Sequence, residues 1–304
     1  RMRKKLIATT IASLFIVSVT VCVFWNTLEE ERSSIETTSF GELQAIEDEV
    51  HEKLITRRDR DEEDIIIRKT TAYRCDHDFR DINFQENSRS QHGEDRNIVD
   101  FFFKGICGGK YIELGALDGI RYSNSHFFRK AHWKGVLIEP NPKLFEQLKI
   151  NRPDDELFNN AICSQEKEVH FAEGIEVAAS GIFEFMPLSF REKWHAGKNV
   201  EDLPKIACRP LHGLIDQSDS LKGQLIDFLS LDVEGGEFEV IKTINFEENK
   251  FGLIFYEADI HNPLKNEAMK TFLEKNGYIF RFHLGGSNYH VNRDWELIYQ
   301  ALLV

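Results

Sequence analysis

Five apolar runs of strand length, at residues 110–114, 136–138, 158–162, 226–231 and 253–256, alternate with segments of helical pattern at 124–131, 142–149, 238–243 and 264–276. This alternation constrains the fold more than any other feature. Strands separated by helices form βαβ units, and βαβ units build a parallel sheet with helices on its faces. Pro142 suits a first helical turn, where its missing N–H would have had no partner. The chain after the last helix, 278–284 and 289–292 around Gly285-Gly286, predicts a closing hairpin. The stretch from Glu173 to Pro210 breaks the rhythm. It predicts an insertion of extra strands, with a loop around Trp194-His195.

Chemistry is concentrated where the strands end. The first strand closes in Glu113, and Gly115 and Gly119 follow it. In open α/β sheets ligands bind at the carboxyl ends of strands, and glycine there allows close approach and tight turns. The spacing departs from GxGxxG, which makes a nucleoside site a better expectation than a dinucleotide site. Glu139 closes the next strand 24 residues after Gly115, a position from which a carboxylate can accept both ribose hydroxyls. Asn160 and Ala161 stand at the expected end of the third strand, where a small residue lets a flat base lie on the backbone. Asp232 and Glu234 close the fourth, before Gly235-Gly236-Glu237, where they could grip an acceptor hydroxyl or take its proton. Capping of the following helix is the plainer explanation of these acids, and it fits Glu237 better than Asp232. His126, His132, His195 and His283 are other candidate bases, though ordinary surface or packed histidines are the commoner case. No metal-type CxxC spacing occurs, and no metal is expected.

The N-terminus reads differently. Arg1, Arg3, Lys4 and Lys5 precede an uncharged run at 6–25, about the length needed to cross ~30 Å of hydrocarbon. Glu29-Glu30-Glu31 follows, so the positive-inside rule predicts a cytoplasmic tail (1–5) and a lumenal body. A cleaved signal peptide would have a shorter apolar region and a better cleavage site than Val21-Cys22-Val23-Phe24-Trp25. The expectation is a single-pass type II membrane protein of the endoplasmic reticulum or Golgi. The absence of any Asn-x-Ser/Thr sequon points weakly the other way. Residues 26–89 predict a charged stem, in which Leu43, Ile46, Val50 and Leu54 recur at helical spacing. Net charge is -13 with no basic patch in the body, which disfavours a nucleic-acid partner. Five cysteines are present, and the pairing of Cys75, Cys107, Cys163 and Cys208 is open.

Taken in order, Glu113-x-Gly115-x-x-Asp118-Gly119, Ser123-Asn124-Ser125, Ile138-Glu139-Pro140, Asn160-Ala161-Ile162 and Asp232-Val233-Glu234-Gly235-Gly236-Glu237 resemble the FkbM-type methyltransferases. The lead-in Ser90-Gln91-His92-Gly93-Glu94-Asp95 resembles the segment before that core, and the likeness runs from about 90 to 290 within a domain expected at 90–304. The resemblance implies a Rossmann-like seven-stranded sheet, S-adenosylmethionine as methyl donor, and a hydroxyl acceptor such as a glycan. It implies that Glu139 holds ribose, and that Glu113, Gly115 and Asp118 surround the methionine end. Gly119, Asn124, Asn160 and Ala161 complete the expected cofactor site, with Asp232 and Glu234 as the expected catalytic pair. Gly236 stands where many members have Ala, and the 173–210 insertion matches no part of the pattern. A membrane helix before an FkbM-like domain also resembles the Star-like membrane proteins. That likeness implies a non-catalytic alternative, aiding the export of membrane-bound cargo from the endoplasmic reticulum. A nicotinamide-dependent oxidoreductase is remote without GxGxxG.

Overall fold

The computed structural model describes residues 83–176, 179–258, 262–295 and 299, all within a compact unit spanning Ile65–Val304. Seven strands form the main sheet: β1 (Lys110–Leu114), β2 (Lys134–Ile138), β3 (Glu156–Phe158), β8 (Leu225–Leu231), β9 (Lys250–Glu257), β10 (Tyr278–Leu284) and β11 (Ser287–Asn292). Their order is β10-β11-β9-β8-β1-β2-β3. Strands β3 through β9 of this row run parallel, and β11 is antiparallel to both its neighbours. The row grows outward from β1 in one direction through β2 and in the other through β8. The gap between β1 and β8 is therefore the point at which the strand order reverses.

Both faces of the central strands are buried, as a parallel sheet requires. Alternate residues point to opposite faces. Tyr111, Leu137, Phe228 and Phe255 join one core with Phe103, Phe128 and Trp133. Ile112, Leu114, Val136, Leu229 and Ile254 join the other with Leu214, Val240 and Met269. The covering helices begin with α1 (Phe84–Asn87) and α2 (Glu94–Ile98), the latter continuing as a π-turn at Val99–Phe103. Then come α3 (Pro142–Asn151), α4 (Leu188–Trp194), α5 (Leu211–Gln217), α6 (Glu237–Ile241) and α7 (Pro263–Lys275). Asn141 caps α3 by accepting from Lys143 N, with Pro142 at the first turn.

Four expectations change. The single strand expected at 158–162 is two: β3 stops at Phe158, and Ala161–Ile162 (β4) pairs instead with β7 (Lys205–Arg209) in a second sheet. That sheet also holds β5 (Lys167–Ala172) and β6 (Gly181–Ile182), and a Cys163–Cys208 disulfide ties β4 to β7. Trp194 ends helix α4 rather than lying in a loop, and the helix expected at 124–131 is a 3-10 segment, Phe127–Ala131. The fourth change concerns the membrane. Among the described residues no helix is long and apolar enough to cross one. The predicted span at 6–25, the basic tail before it and the stem as far as residue 82 lie outside the described residues. The expected type II topology, reticulum or Golgi location, membrane partner and cargo role are corrected accordingly: no described helix supports them.

Candidate functional site

A cavity of about 530 Å³ opens at the carboxyl ends of β1, β2, β8 and β9, across the point of reversal. Its first wall is the loop after β1. Gly115 has φ +78°, and a Cβ there would overlap the carbonyl oxygen of Asp232 on the neighbouring strand end. Close passage of two backbones thus requires this glycine, whatever ligand lies beyond it. Gly119, also at positive φ, is packed against the side chains of Arg152 and Leu148. Leu117 N donates to Glu139 Oε2 at 2.8 Å, and Asn141 N donates to Oε1 at 2.7 Å. Glu139 is thereby clamped at the end of β2, on the cavity wall. Burial pushes its pKa up to about 8, against the pull of these two N–H groups. Asn160 and Ala161 line the same wall, just beyond the end of β3.

Three of the sequence candidates, Glu113, Asp118 and Gly119, do not line the cavity. Glu113 is buried, and its carboxylate accepts from Ser123 Oγ at 2.9 Å, Asn124 N at 2.7 Å and Ser125 Oγ. Arg152, fully buried, completes this cluster. It donates to Tyr111 Oη, Ser125 Oγ and Gly119 O, and forms an ion pair with Asp155 at 2.8 Å. Burial raises the Glu113 pKa while Arg152 lowers it. Glu113 therefore holds the loop in shape from behind. Asp118 caps a turn, its Oδ1 accepting from Ile120 N and Arg121 N, and it does not line the cavity. Asn124 does line it. Its Nδ2 donates to Ser230 Oγ at 3.0 Å, and its Oδ1 has no hydrogen-bond partner although the residue is only 8% exposed.

The opposite wall is acidic. Asp232 and Glu234 follow β8, and Glu257 closes β9; one carboxylate oxygen from each lies within 4.8 Å of the others. Burial raises the pKa of Asp232, and Glu237, Glu94 and Glu113 add to the rise. Burial likewise raises that of Glu234, with Asp232, Glu257 and Glu237 adding like charge. Glu234 also sits at φ +52°, in the left-handed region. Glu237 belongs to the structure of this turn: it accepts from Val233 N and Gly235 N and pairs with buried Lys265 at 2.6 Å. No cation was expected here. The three oxygens form the one group among the described residues with metal-ligating spacing.

The insertion supplies the third wall through Phe185, Pro187, Phe190 and Trp194. The lead-in supplies Gln91, His92 and Glu94. None of His126, His132, His195 and His283 lines the cavity. His126 approaches Gly119 O, and burial beside Arg152 lowers its pKa to about 4. His195 is buried against Ala179 O, and His283 bonds Asn288 on the hairpin. His92 and Glu257 were missed from the sequence. Glu257 carried the same signal as Glu139, an acid closing a buried strand. His92 lies in the lead-in that resembles the family, but only the fold brings that lead-in to the strand ends.

The sheet order, the reversal point and a strand-end acid clamped beside a glycine loop define an α/β protein of the methyltransferase type. The chain belongs to the FkbM methyltransferase family: residues 113–280, more than half of its length, match the Methyltransferase FkbM domain. No curated protein matches it significantly. Among solved structures it is similar to a precorrin-6y C5,15-methyltransferase of Geobacter metallireducens, with 14% identity over 69% of this chain and 95% of that one, TM-score 0.32. It is similar to a TehB-like SAM-dependent methyltransferase of Corynebacterium glutamicum, with 11% identity over 69% and 90%, TM-score 0.32. A human methyltransferase 10 domain containing protein gives 10% identity over 77% and 99%, TM-score 0.32. At these scores the likenesses do not bear on function.

Proposed function

We propose that the chain uses S-adenosylmethionine to methylate a hydroxyl acceptor, such as one on a glycan. The observation that carries the reading is Glu139, clamped by two backbone N–H groups at the end of β2 beside the Gly115 loop. The residues present fit the donor. Glu139 offers acceptors for ribose hydroxyls, Asn160 and Ala161 form a shelf for the base, and Asn124 Oδ1 is a buried acceptor without a donor. A cavity of about 530 Å³ is of the size small ligands occupy. Bound S-adenosylmethionine supplies a sulfonium methyl group: the acceptor oxygen forms the new O–CH3 bond, the S–CH3 electron pair stays on sulfur, and the hydroxyl proton is released.

Asp232 and Glu234 are assigned to that proton and to holding the acceptor hydroxyl. A group can take a proton at neutral pH only if its pKa is high enough, and the raised pKa of Asp232 meets that requirement. Alignment of oxygen and methyl group, with water excluded, supplies the rest of the acceleration. Calorimetric titration of the full chain with S-adenosylmethionine and S-adenosylhomocysteine, beside Glu139→Ala, tests the reading. Micromolar binding that vanishes in the variant supports it. A folded chain that binds neither ligand overturns it.

A further inference from the structure

The cavity wall around Ala161 is held from two sides. Between β3 and β4 the chain crosses from the main sheet to the second one, and Asn160, Ala161 and Ile162 line the cavity in that crossing. On the near side Asn159 anchors it: Nδ2 donates to the carbonyls of Glu139 at 2.8 Å and Pro140 at 3.1 Å. On the far side β4 is only two residues long, and among the described residues β7 is its one neighbouring strand. Ala161 stands opposite Cys208 and Ile162 opposite Arg209, and Cys163 N donates to Arg209 O at 3.1 Å. The Cys163–Cys208 disulfide closes the same corner covalently.

This bridge lies inside a small core of its own. Beside the two cysteines that core holds Ala161, Val169, Phe171 and Ile182, with Phe185 packed against it. Ala161, Phe171, Ile182 and Phe185 also line the cavity, so part of the cavity wall is the outer surface of this core. A core of this size removes little apolar area from water, and small units depend on covalent staples. The bridge joins residues 45 apart in the chain. It therefore constrains almost the whole insertion, and cutting it returns the freedom of a long loop.

With the methyl donor seated against Glu139 and Ala161, a premise taken from the proposed function, donor affinity depends on how firmly this crossing is held. We propose that Cys163–Cys208 is a redox lock on the donor site. Oxidised, it holds the wall in its binding shape. Reduced, it loosens β4 from β7 and weakens the binding of S-adenosylmethionine and S-adenosylhomocysteine. The reductant is a dithiol. One of its sulfurs attacks a bridge sulfur and displaces the other; its second sulfur then resolves the mixed disulfide. Two protein thiols result, the reductant's two protons pass to them, and the reductant leaves as a disulfide. Cys163 and Cys208 are 1% and 2% exposed, so attack awaits opening of the wall. A ligand that closes the wall protects the bridge, and the coupling is equal in both directions.

The test compares the full oxidised chain with Cys163→Ala/Cys208→Ala. The double variant isolates this bridge, because Cys107 is disulfide-bonded as well and a reductant would act on both. Hydrogen exchange at the amides of residues 160–163 is read without ligand, and S-adenosylhomocysteine affinity is read by calorimetry. In the variant, exchange is expected to quicken and affinity to fall, each by roughly tenfold, within the usual range of such couplings. A third measurement needs no variant. The unmodified chain is equilibrated in graded ratios of reduced to oxidised dithiothreitol, and the state of Cys163 and Cys208 is followed by thiol labelling and mass spectrometry. Saturating S-adenosylhomocysteine is expected to move the midpoint towards more reductant by the same factor. Unchanged exchange, unchanged affinity in the folded variant, or a midpoint indifferent to ligand overturns the proposal. Should the variant not fold, the midpoint decides. Quickened exchange in a variant of a chain that binds no S-adenosylhomocysteine even when oxidised counts against the methyltransferase reading alone. Equal S-adenosylhomocysteine binding with and without the bridge counts against the lock alone.

Discussion

The Glu113 cluster and the Asp232 cluster lie on adjacent strands, and each gathers carboxylates at a strand end. Around Glu113 each charge is answered: Arg152 supplies the cation, and Ser123, Asn124 and Ser125 supply donors. Around Asp232 lie Glu234 and Glu257, Glu237 and Glu94 add like charge, and Lys265, bound to Glu237, only partly offsets the rise at Glu234. Burial acts on both. A carboxylate with a cation and hydrogen bonds contributes to structure, whereas crowded acids beside a cavity are held at a cost that a ligand can recover. The motif residues Glu113 and Asp232 alone do not reveal this difference.

Removing the cation from the satisfied side is the severest way to break this comparison. Arg152→Ala leaves Glu113 and Asp155 buried without it, and breaking such a network costs about 3–5 kcal/mol. Urea denaturation should show that loss; a change below about 1 kcal/mol would remove the network from the stability argument. Next comes Asp232→Asn. It should leave S-adenosylhomocysteine affinity nearly unchanged and lower turnover by roughly 10²–10⁴, the usual contribution of a positioned base. Undiminished turnover would take Asp232 out of the proton path.

The crowded side also predicts a pH signature. The raised pKa of Glu234 means that the folded state holds a proton the unfolded state has released above its ordinary carboxylate range. Stability should therefore fall as pH rises from about 5 towards 10, and Glu234→Gln should flatten that fall. Parallel melting curves for the two proteins across this range would show that Glu234 is not the strained acid. The smallest effect concerns Glu139. If ribose hydroxyls donate to its ionised form, S-adenosylhomocysteine affinity should rise with pH and level off above about 8, where the free carboxylate is already ionised. A pH-independent affinity would mean that the clamp binds ligand in its protonated state.

Some of this was legible without a structure. Strand ends at Glu113, Glu139 and Asp232 stand out because a buried strand is a short apolar run, and an acid that closes one is visible against it. The roles of those acids were not legible. Glu113 and Glu139 look alike in sequence, yet side chains alternate along a strand and the last residue faces wherever the register leaves it. Arg152 lies 39 residues from Glu113 at the end of α3, so no local pattern connects them.

The alternation of strands and helices, the placing of acids and glycines at strand ends, and membership of the FkbM family are written in the order of residues, because each is a local or ordered pattern. Tertiary structure alone decided that Glu113 is enclosed by Arg152 and its serines while Glu139 opens on a cavity. It also split the third strand between two sheets, so that the insertion could fold over the site with its aromatic side. Pairing partners, burial and the sign of the neighbouring charges are properties of three-dimensional neighbours, and these set what a carboxylate does.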